Sequence, residues 1–239
     1  MRVNWNYILG FLLLILVGFL YAFSSHKNGL RNVNDISINF TSESNLFITS
    51  ESVNKLLIQN EVDVQNVPKE ILDLNGLETA LKSNPMIKTA EVYLTVNGGI
   101  RADVEQRRPI ARVATNESFY IDEEGLLMPL STNRSARVPL VTGNIYKNDL
   151  SNVHHIAKTI HDDEFLKMHI VGIIQGEDKS VTLKTRELNF EIFIGKLDHL
   201  EKKIKNLKAF YQKAKKDKSL ASYKKVNLQF ENQVVCTKK

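Results

Sequence analysis

Val92-Tyr93-Leu94-Thr95-Val96-Asn97-Gly98-Gly99-Ile100-Arg101-Ala102-Asp103-Val104 reads as two strands around a turn. Val92, Leu94 and Val96 recur at every second position, and Ile100, Ala102 and Val104 repeat the pattern on the way back, the period of a half-buried strand pair. Asn97-Gly98-Gly99 supplies the positive φ angles that a tight hairpin needs. Upstream, Asn75 with Glu78 three residues on resembles a capping box, and Leu77, Ala80 and Leu81 form the apolar stripe of the helix it opens. Asn84-Pro85 ends that helix, because the residue before proline is pushed out of the α region. A preceding helix is expected from a cap at Thr49 or Ser50, with Glu51 in its first turn and Val53, Leu56, Leu57 and Asn60 at helical spacing. Further back, Ile36, Ile38 and Phe40 alternate as a strand. The order strand, helix, helix, strand, strand over 32–105 predicts a small α+β unit with both helices on one sheet face.

Downstream, over 106–239, the pattern becomes mainly β, and an antiparallel sheet with flanking helices is expected. Short apolar pieces at Ala111–Ala114, Phe119–Ile121 and Leu126–Met128 are separated by Asn116-Glu117-Ser118 and Asp122-Glu123-Glu124-Gly125. Val138–Gly143 is an extended piece closed by glycine. A helix is expected from Asp149 to His161, with Leu150, Val153, Ala157 and Ile160 on one face. Strands follow at His169–Ile174, Val181–Lys184 and Phe190–Ile194. From Lys196 to Lys225 there are eleven Lys against Asp198, Glu201 and Asp217, a window of +8 in a chain of net +5, so the remainder is −3. Leu197, Leu200, Ile204, Leu207, Phe210, Tyr211 and Ala214 give this window an apolar stripe, so it reads as an amphipathic helix with a solvated Lys face. The alternatives for that face are anionic lipid or an acidic partner. A last strand carries Val226, Leu228 and Phe230 in alternation, followed by a turn at Glu231-Asn232-Gln233 and by Val234 and Val235.

At the other end, Tyr7 to Phe23 is uncharged and apolar. The 21 residues from Trp5 to Ser25 make a helix of about 31 Å, enough for a hydrocarbon core of about 30 Å. Trp5 and Tyr7 at one end and Tyr21 at the other sit where amphipathic rings favour the interface. The expectation is a retained anchor over 7–25 behind a cytoplasmic head of residues 1–6. A cleavable signal peptide is the alternative, with Ala22-Phe23-Ser24 as its weak site. Charge does not orient the span, since Arg2 precedes it and Lys27 and Arg31 follow it. Long following domains translocate largely regardless of charge, so residues 26–239 are expected outside the cytoplasm.

The composition, 43% hydrophobic and 25% charged with 11 Gly and 5 Pro in 239 residues, excludes wholesale disorder and collagen-like or low-complexity architectures. A single cysteine, Cys236, excludes an intrachain disulfide and any cysteine-built metal site, and no partner histidine is evident for it. His154 and His161 lie about 10.5 Å apart along their helix, too far for one metal ion, and with His155 they are expected to be solvated. Asp122-Glu123-Glu124 and Asp162-Asp163-Glu164 fall at turns and are expected to be solvated acids. There is no phosphate loop, HExxH or nucleophile elbow, so neither a catalytic residue nor a metal or cofactor site is expected. Nor is a small-molecule substrate or a nucleic-acid partner.

Glu105-Gln106-Arg107-Arg108-Pro109-Ile110-Ala111 resembles the segment that joins the two domains of the FtsQ/DivIB bacterial cell-division proteins. Phe119-Tyr120-Ile121-Asp122-Glu123-Glu124-Gly125 looks like the family's Tyr-hydrophobic-Asp-x-x-Gly turn, and Pro139-Leu140-Val141-Thr142-Gly143 like its Pro-x-x-x-Gly segment. The strand around Leu228-Gln229-Phe230 stands where the family has Asp-Leu-Arg-Tyr, with Asn227, Gln229 and Phe230 replacing its Asp, Arg and Tyr. The ordered set covers nearly the whole chain. The resemblance implies a polypeptide-transport-associated (POTRA) module at 32–105 and an FtsQ-like β domain at 106–239. It implies no enzymatic activity. It implies a divisome scaffold at the division septum that binds single-pass division proteins with coiled-coil stems, FtsB/DivIC-like and FtsL-like, outside the cytoplasmic (inner) membrane.

From the residues, the expected binding device is strand addition at the sheet's last strand, whose backbone groups are unpaired. Phe230, Asn232, Gln233, Val234 and Val235 are the expected edge, with Phe230 either its apolar anchor or, alongside Val226 and Leu228, plain core. Arg107, Arg108 and Pro109 are expected to fix the interdomain angle rather than hold a ligand. Membrane lipid is the partner of the N-terminal helix. Two alternatives stay open: an envelope assembly or secretion component, which predicts repeated modules or a barrel, and an anchored envelope hydrolase, which predicts a convergent nucleophile or metal set.

Overall fold

The computed structural model describes residues 5–29, 35–41, 47–60, 72–96, 98–115, 117–188, 190–230 and 232–239. The turn residues Asn97, Asn116 and Glu231, head residues 1–4 and Arg31 lie outside the described residues. The chain divides between Gln106 and Arg107 into two units.

The first unit begins with α1 (Trp5–Gly29), within which Tyr7–Lys27 is long and apolar enough to cross a membrane. Its large apolar side chains from Trp5 to Phe23 are all exposed among the described residues, a surface suited to lipid. The rest of the unit is β1 (Ile36–Phe40), α2 (Ser50–Asn60), α3 (Leu74–Lys82), β2 (Ile87–Leu94) and β3 (Ile100–Gln106). The sheet order is β1-β3-β2, with β1 parallel and β2 antiparallel to the central β3. Val53, Leu57, Leu77 and Leu81 from the helices share one core with Ile87, Ala90, Val92, Ile100, Ala102 and Val104. Both helices therefore cover the same sheet face, as expected. Thr49 caps α2, its hydroxyl accepting the Ser52 N–H at 3.1 Å.

Two local expectations change. The cap of α3 is Asp73, whose carboxylate accepts the Gly76 N–H at 3.0 Å, and the helix starts at Leu74. An aspartate placed one residue before the helix outcompetes the Asn75 box. Glu78 instead accepts from the Val92 N–H at 2.9 Å and pairs with Lys82. Val96 lies outside the strands and is 95% exposed. The Thr95 hydroxyl takes the Gly99 N–H at 3.0 Å while the Thr95 N–H donates to the Gly99 carbonyl at 2.8 Å, which closes the loop one residue before Val96.

The second unit is a nine-stranded sheet in the order β12-β11-β10-β9-β8-β7-β4-β5-β6. Its strands are β4 (Pro109–Ala114), β5 (Ser118–Asp122), β6 (Leu127–Met128), β7 (Leu140–Gly143), β8 (Ile170–Gln175), β9 (Val181–Thr185), β10 (Glu191–Gly195), β11 (Tyr223–Asn227) and β12 (Val235–Lys238). Five of the eight pairings are antiparallel and three, β10–β11, β4–β7 and β7–β8, are parallel. Parallel neighbours need a long crossover. Here α4 (Ser151–Asp162) and α5 (Glu164–His169) bridge β7 to β8, and α6 (Leu200–Lys216) bridges β10 to β11. The hydrogen-bonded register lines up Val226, Ile192, Leu183, Ile173, Val141, Val113 and Phe119 as one row across seven strands. Every member is at most 4% exposed, and α4, α5 and α6 bury Ile156, Leu166 and Ile204 in the same core.

The Lys-rich helix is amphipathic as expected, but not all its lysines are solvated. Lys203 is 1% exposed, its Nζ donating to the Lys196 carbonyl at 2.7 Å and to Asp198 at 3.2 Å. The bond to Lys203 holds the exposed Asp198 carboxyl below its usual range. The buried stem contributes packing, and an ion pair to a carboxylate that is 58% exposed adds little net stability. Lys203→Met is therefore expected to leave stability within about 1 kcal/mol, whereas Lys203→Ala lowers it by about 2–3 kcal/mol. Urea midpoints of the two variants check this.

Candidate functional site

The terminal edge of the large sheet is built from residues 223–239. β11 ends at Asn227 because its side-chain carbonyl accepts the Gln229 N–H at 2.9 Å, an Asx turn that takes the chain out of the ladder. Leu228 stays buried, with its N–H on the Phe193 carbonyl at 2.8 Å. Phe230 leaves the core and is 45% exposed, so the expected strand through Phe230 stops short of it. Asn232 and Gln233 are exposed, and Asn232 accepts from Lys202 at 2.9 Å. Val234 is half-buried against the core, and Val235 is exposed as the first residue of β12. β12 pairs antiparallel to β11, with Val235 opposite Asn227 and Cys236 opposite Val226.

Of the five residues expected at the edge, Val235 thus lies in the edge strand itself. Phe230, Asn232, Gln233 and Val234 form the connection that leads into it. Cys236, Thr237 and Lys238 were missed as strand. The β-prone run Val234-Val235-Cys236-Thr237 carried that signal, but the short basic end beside it reads as tail. Among the described residues nothing pairs with the outer side of β12. A row of backbone donors and acceptors therefore faces outward. At the opposite end β6 has two residues, too few to template a partner strand. The β12 edge is basic: Lys224, Lys225, Lys238 and Lys239 are exposed, and Lys225 Nζ stands 4.6 Å over the Phe193 ring. Burial pushes the Cys236 thiol up, away from the thiolate form.

The second built region is the turn after β5. Asp122 is 2% exposed, not solvated as expected. One carboxylate oxygen accepts the Glu124 and Leu126 N–H groups at 3.0 and 2.7 Å, and the other accepts from Arg107 at 2.8 Å. Arg107 also reaches Glu124 at 2.9 Å. Burial alone would lower the Arg107 pKa, and the bonds to Asp122 and Glu124 more than reverse it, so the guanidinium is held firmly charged. Arg108 is exposed with its carbonyl on the Glu123 N–H, and Pro109 is buried at the start of β4.

The histidines are not all solvated either. His154 Nε2 lies 3.1 Å from the Glu123 carbonyl, and His161 Nε2 lies 3.4 Å from the Glu123 carboxylate. Both pack on this turn because α4 crosses it, while His155 is exposed. Tyr120 is buried, its hydroxyl accepting the Ala136 N–H at 3.0 Å, which pins the strap before β7. Asp163 caps α5 through the Leu166 N–H at 3.1 Å and pairs with Lys208. Burial would raise its carboxyl, but the Lys208 and backbone bonds hold it below the usual range. These acids and histidines are structural. Among the described residues no group of three or more His, Cys, Asp or Glu is placed to hold a metal ion.

Residues 108–237 match the family described as FtsQ/DivIB, C-terminal related, and residues 32–105 match the POTRA-like domain. The first match alone covers more than half of the 239 residues. No curated protein matches the chain.

Proposed function

The chain belongs to the FtsQ/DivIB family of non-enzymatic cell-division proteins, and from that premise we propose that it is a bitopic divisome scaffold which grips its partners by strand addition on β12. The observation that carries this reading is the free, basic β12 edge at the end of a nine-stranded sheet. Family identity implies contact with other divisome proteins. FtsB/DivIC-like and FtsL-like proteins are the partners the proposal names. Their extended segments pair with the β12 backbone, and alternate side chains meet Phe230, Val235 and the Lys225–Phe193 surface. Asn232, Gln233 and Val234 shape the approach to that edge. α1 anchors the protein in the cytoplasmic membrane, with residues 26–239 on the outer side and the protein gathered at the septum. Arg107, Arg108 and Pro109 form the junction that follows Gln106. The POTRA-like match alone would also suit a secretion component, but the FtsQ/DivIB match over the larger unit favours division.

Deleting residues 231–239 removes β12 and is expected to reduce recovery of division partners from solubilised membranes by at least about tenfold. Val235→Asp, at an exposed position, weakens recovery without disturbing the core. Undiminished recovery by a deletion variant that still unfolds cooperatively rejects the edge.

A further inference from the structure

A small cleft lies where β7 and β8 begin and β9 ends. Sheet order and register bring its parts together. Leu140 of β7 faces Gly172 of β8, and Ile170 of β8 faces Thr185 at the end of β9. Pro139 precedes the first pair, Val171 lies between the two β8 partners and Arg186 follows the second pair, so the three border one cleft. The Arg186 N–H donates to the His169 carbonyl at 2.8 Å, which holds the end of β9 against α5. The volume is about 170 Å³, and Ile110, Ile160 and Ile170 line its floor. Around the mouth stand Arg137, Lys167 and Arg186, all exposed. Among the described residues none of their three side chains has a hydrogen-bond or ion-pair partner, and His161, which also lines the cleft, pairs with Glu123.

We propose that this cleft is a second protein-binding site, one that receives a partner segment carrying carboxylates on either side of an apolar side chain. Three unpaired cations around an isoleucine floor complement that chemistry on both counts. A free phosphate would use the charges and leave the floor unused. An acyl chain needs more room, since sites for drug-sized ligands start at about 300 Å³. A nucleic acid would find one imidazole, His161, and no Phe, Tyr or Trp in the lining, which is no platform for successive bases. The site is separate from the β12 edge. β8 is four strand positions from β12, or about 19 Å across the sheet, so one segment can occupy the cleft while another pairs with the edge.

The test uses the full chain in detergent and a fluorescein-labelled synthetic peptide of alternating Glu and Leu, with empty micelles as the blank. The peptide is expected to bind, and Arg137→Glu with Arg186→Glu to weaken it by about tenfold or more. Replacing Glu by Gln in the peptide gives a similar loss. Raising salt from about 50 to about 300 mM weakens binding to the unaltered protein, a readout that needs no substitution. Deleting residues 231–239 leaves peptide binding unchanged, so failure here and failure of the β12 reading are told apart. Lys167→Gln, at an exposed position, weakens binding less than the double reversal. The proposal is overturned by equal binding to the charge-reversed protein, by equal binding of the Gln peptide, or by loss of binding in the deletion variant. It is equally overturned by full displacement with inorganic phosphate, or by binding of vesicles of anionic lipid in place of the peptide.

Discussion

Asp122→Ala is expected to lower the stability of the 107–239 unit by about 3–5 kcal/mol, the usual consequence of removing one partner from a buried ion pair. The carboxylate is 2% exposed and does three things at once. It accepts two backbone N–H groups of the turn, Glu124 and Leu126, and it neutralises Arg107, whose side chain is 16% exposed. Alanine leaves both N–H groups without an acceptor and leaves Arg107 with only Glu124, which is 47% exposed. Asp122→Asn separates the terms. Its carbonyl oxygen still serves the turn, but its amide sets a donor against the guanidinium, so a loss of about 2–3 kcal/mol is expected. Urea unfolding measures both, with an unchanged slope showing that the change lies in stability and not in the compactness of the unfolded chain. A loss below about 1 kcal/mol for alanine would mean that water reaches the site and the turn does not depend on the carboxylate.

The same turn is only partly legible in the sequence. Alternation placed β1, β2 and β3, because period two needs only neighbouring residues to be read. It also led too far. Val96 and Phe230 continue the alternation of β2 and β11, yet the Thr95 hydroxyl and the Asn227 side chain each capture a nearby N–H and end the ladder before them. Those polar residues were visible, but which backbone group they bind depends on the folded loop. Burial of charge was less legible still. Asp122 looks like any acid in a turn until Arg107, fifteen positions away, is seen beside it. Lys203 looks like its neighbours on a basic helix until the Lys196 carbonyl turns back over it. The β12 edge was foreseen as an edge but located a few residues early, because its register depends on pairing with β11 across an irregular connection. The cleft at Arg137, Lys167 and Arg186 had no local signal at all. Its three cations come from three separate stretches that only the mixed strand order brings together.

Gly143→Val should be about as damaging as Asp122→Ala, for a different reason. Gly143 closes β7 with φ at +98°, where a β-branched residue is strained. Space is as restrictive as the backbone angle. A Cβ at this position would lie 2.2 Å from the Gln175 carbonyl oxygen and 3.1 Å from the Gln175 nitrogen. These are backbone atoms of β8 and cannot swing aside as a side-chain end would. Gln175 is also fixed by its other bonds. Its carbonyl accepts the Asn144 N–H at 2.9 Å, its amide donates to the Asn144 carbonyl at 2.7 Å, and Asn152 of α4 donates to its side-chain oxygen at 2.7 Å. Relief therefore means separating β7 from β8, which opens the centre of the buried row through Val141 and Ile173. A loss of about 4 kcal/mol is expected for valine and about 3 kcal/mol for alanine, which keeps the same clash with less branching. Because the damage is central to the sheet, the Val141 and Ile173 amides should lose hydrogen-exchange protection while the core amides of β3 in the other unit keep theirs. Retained protection at Val141 in the valine variant would show that β8 yields without cost and would overturn the reading of Gly143 as a steric requirement.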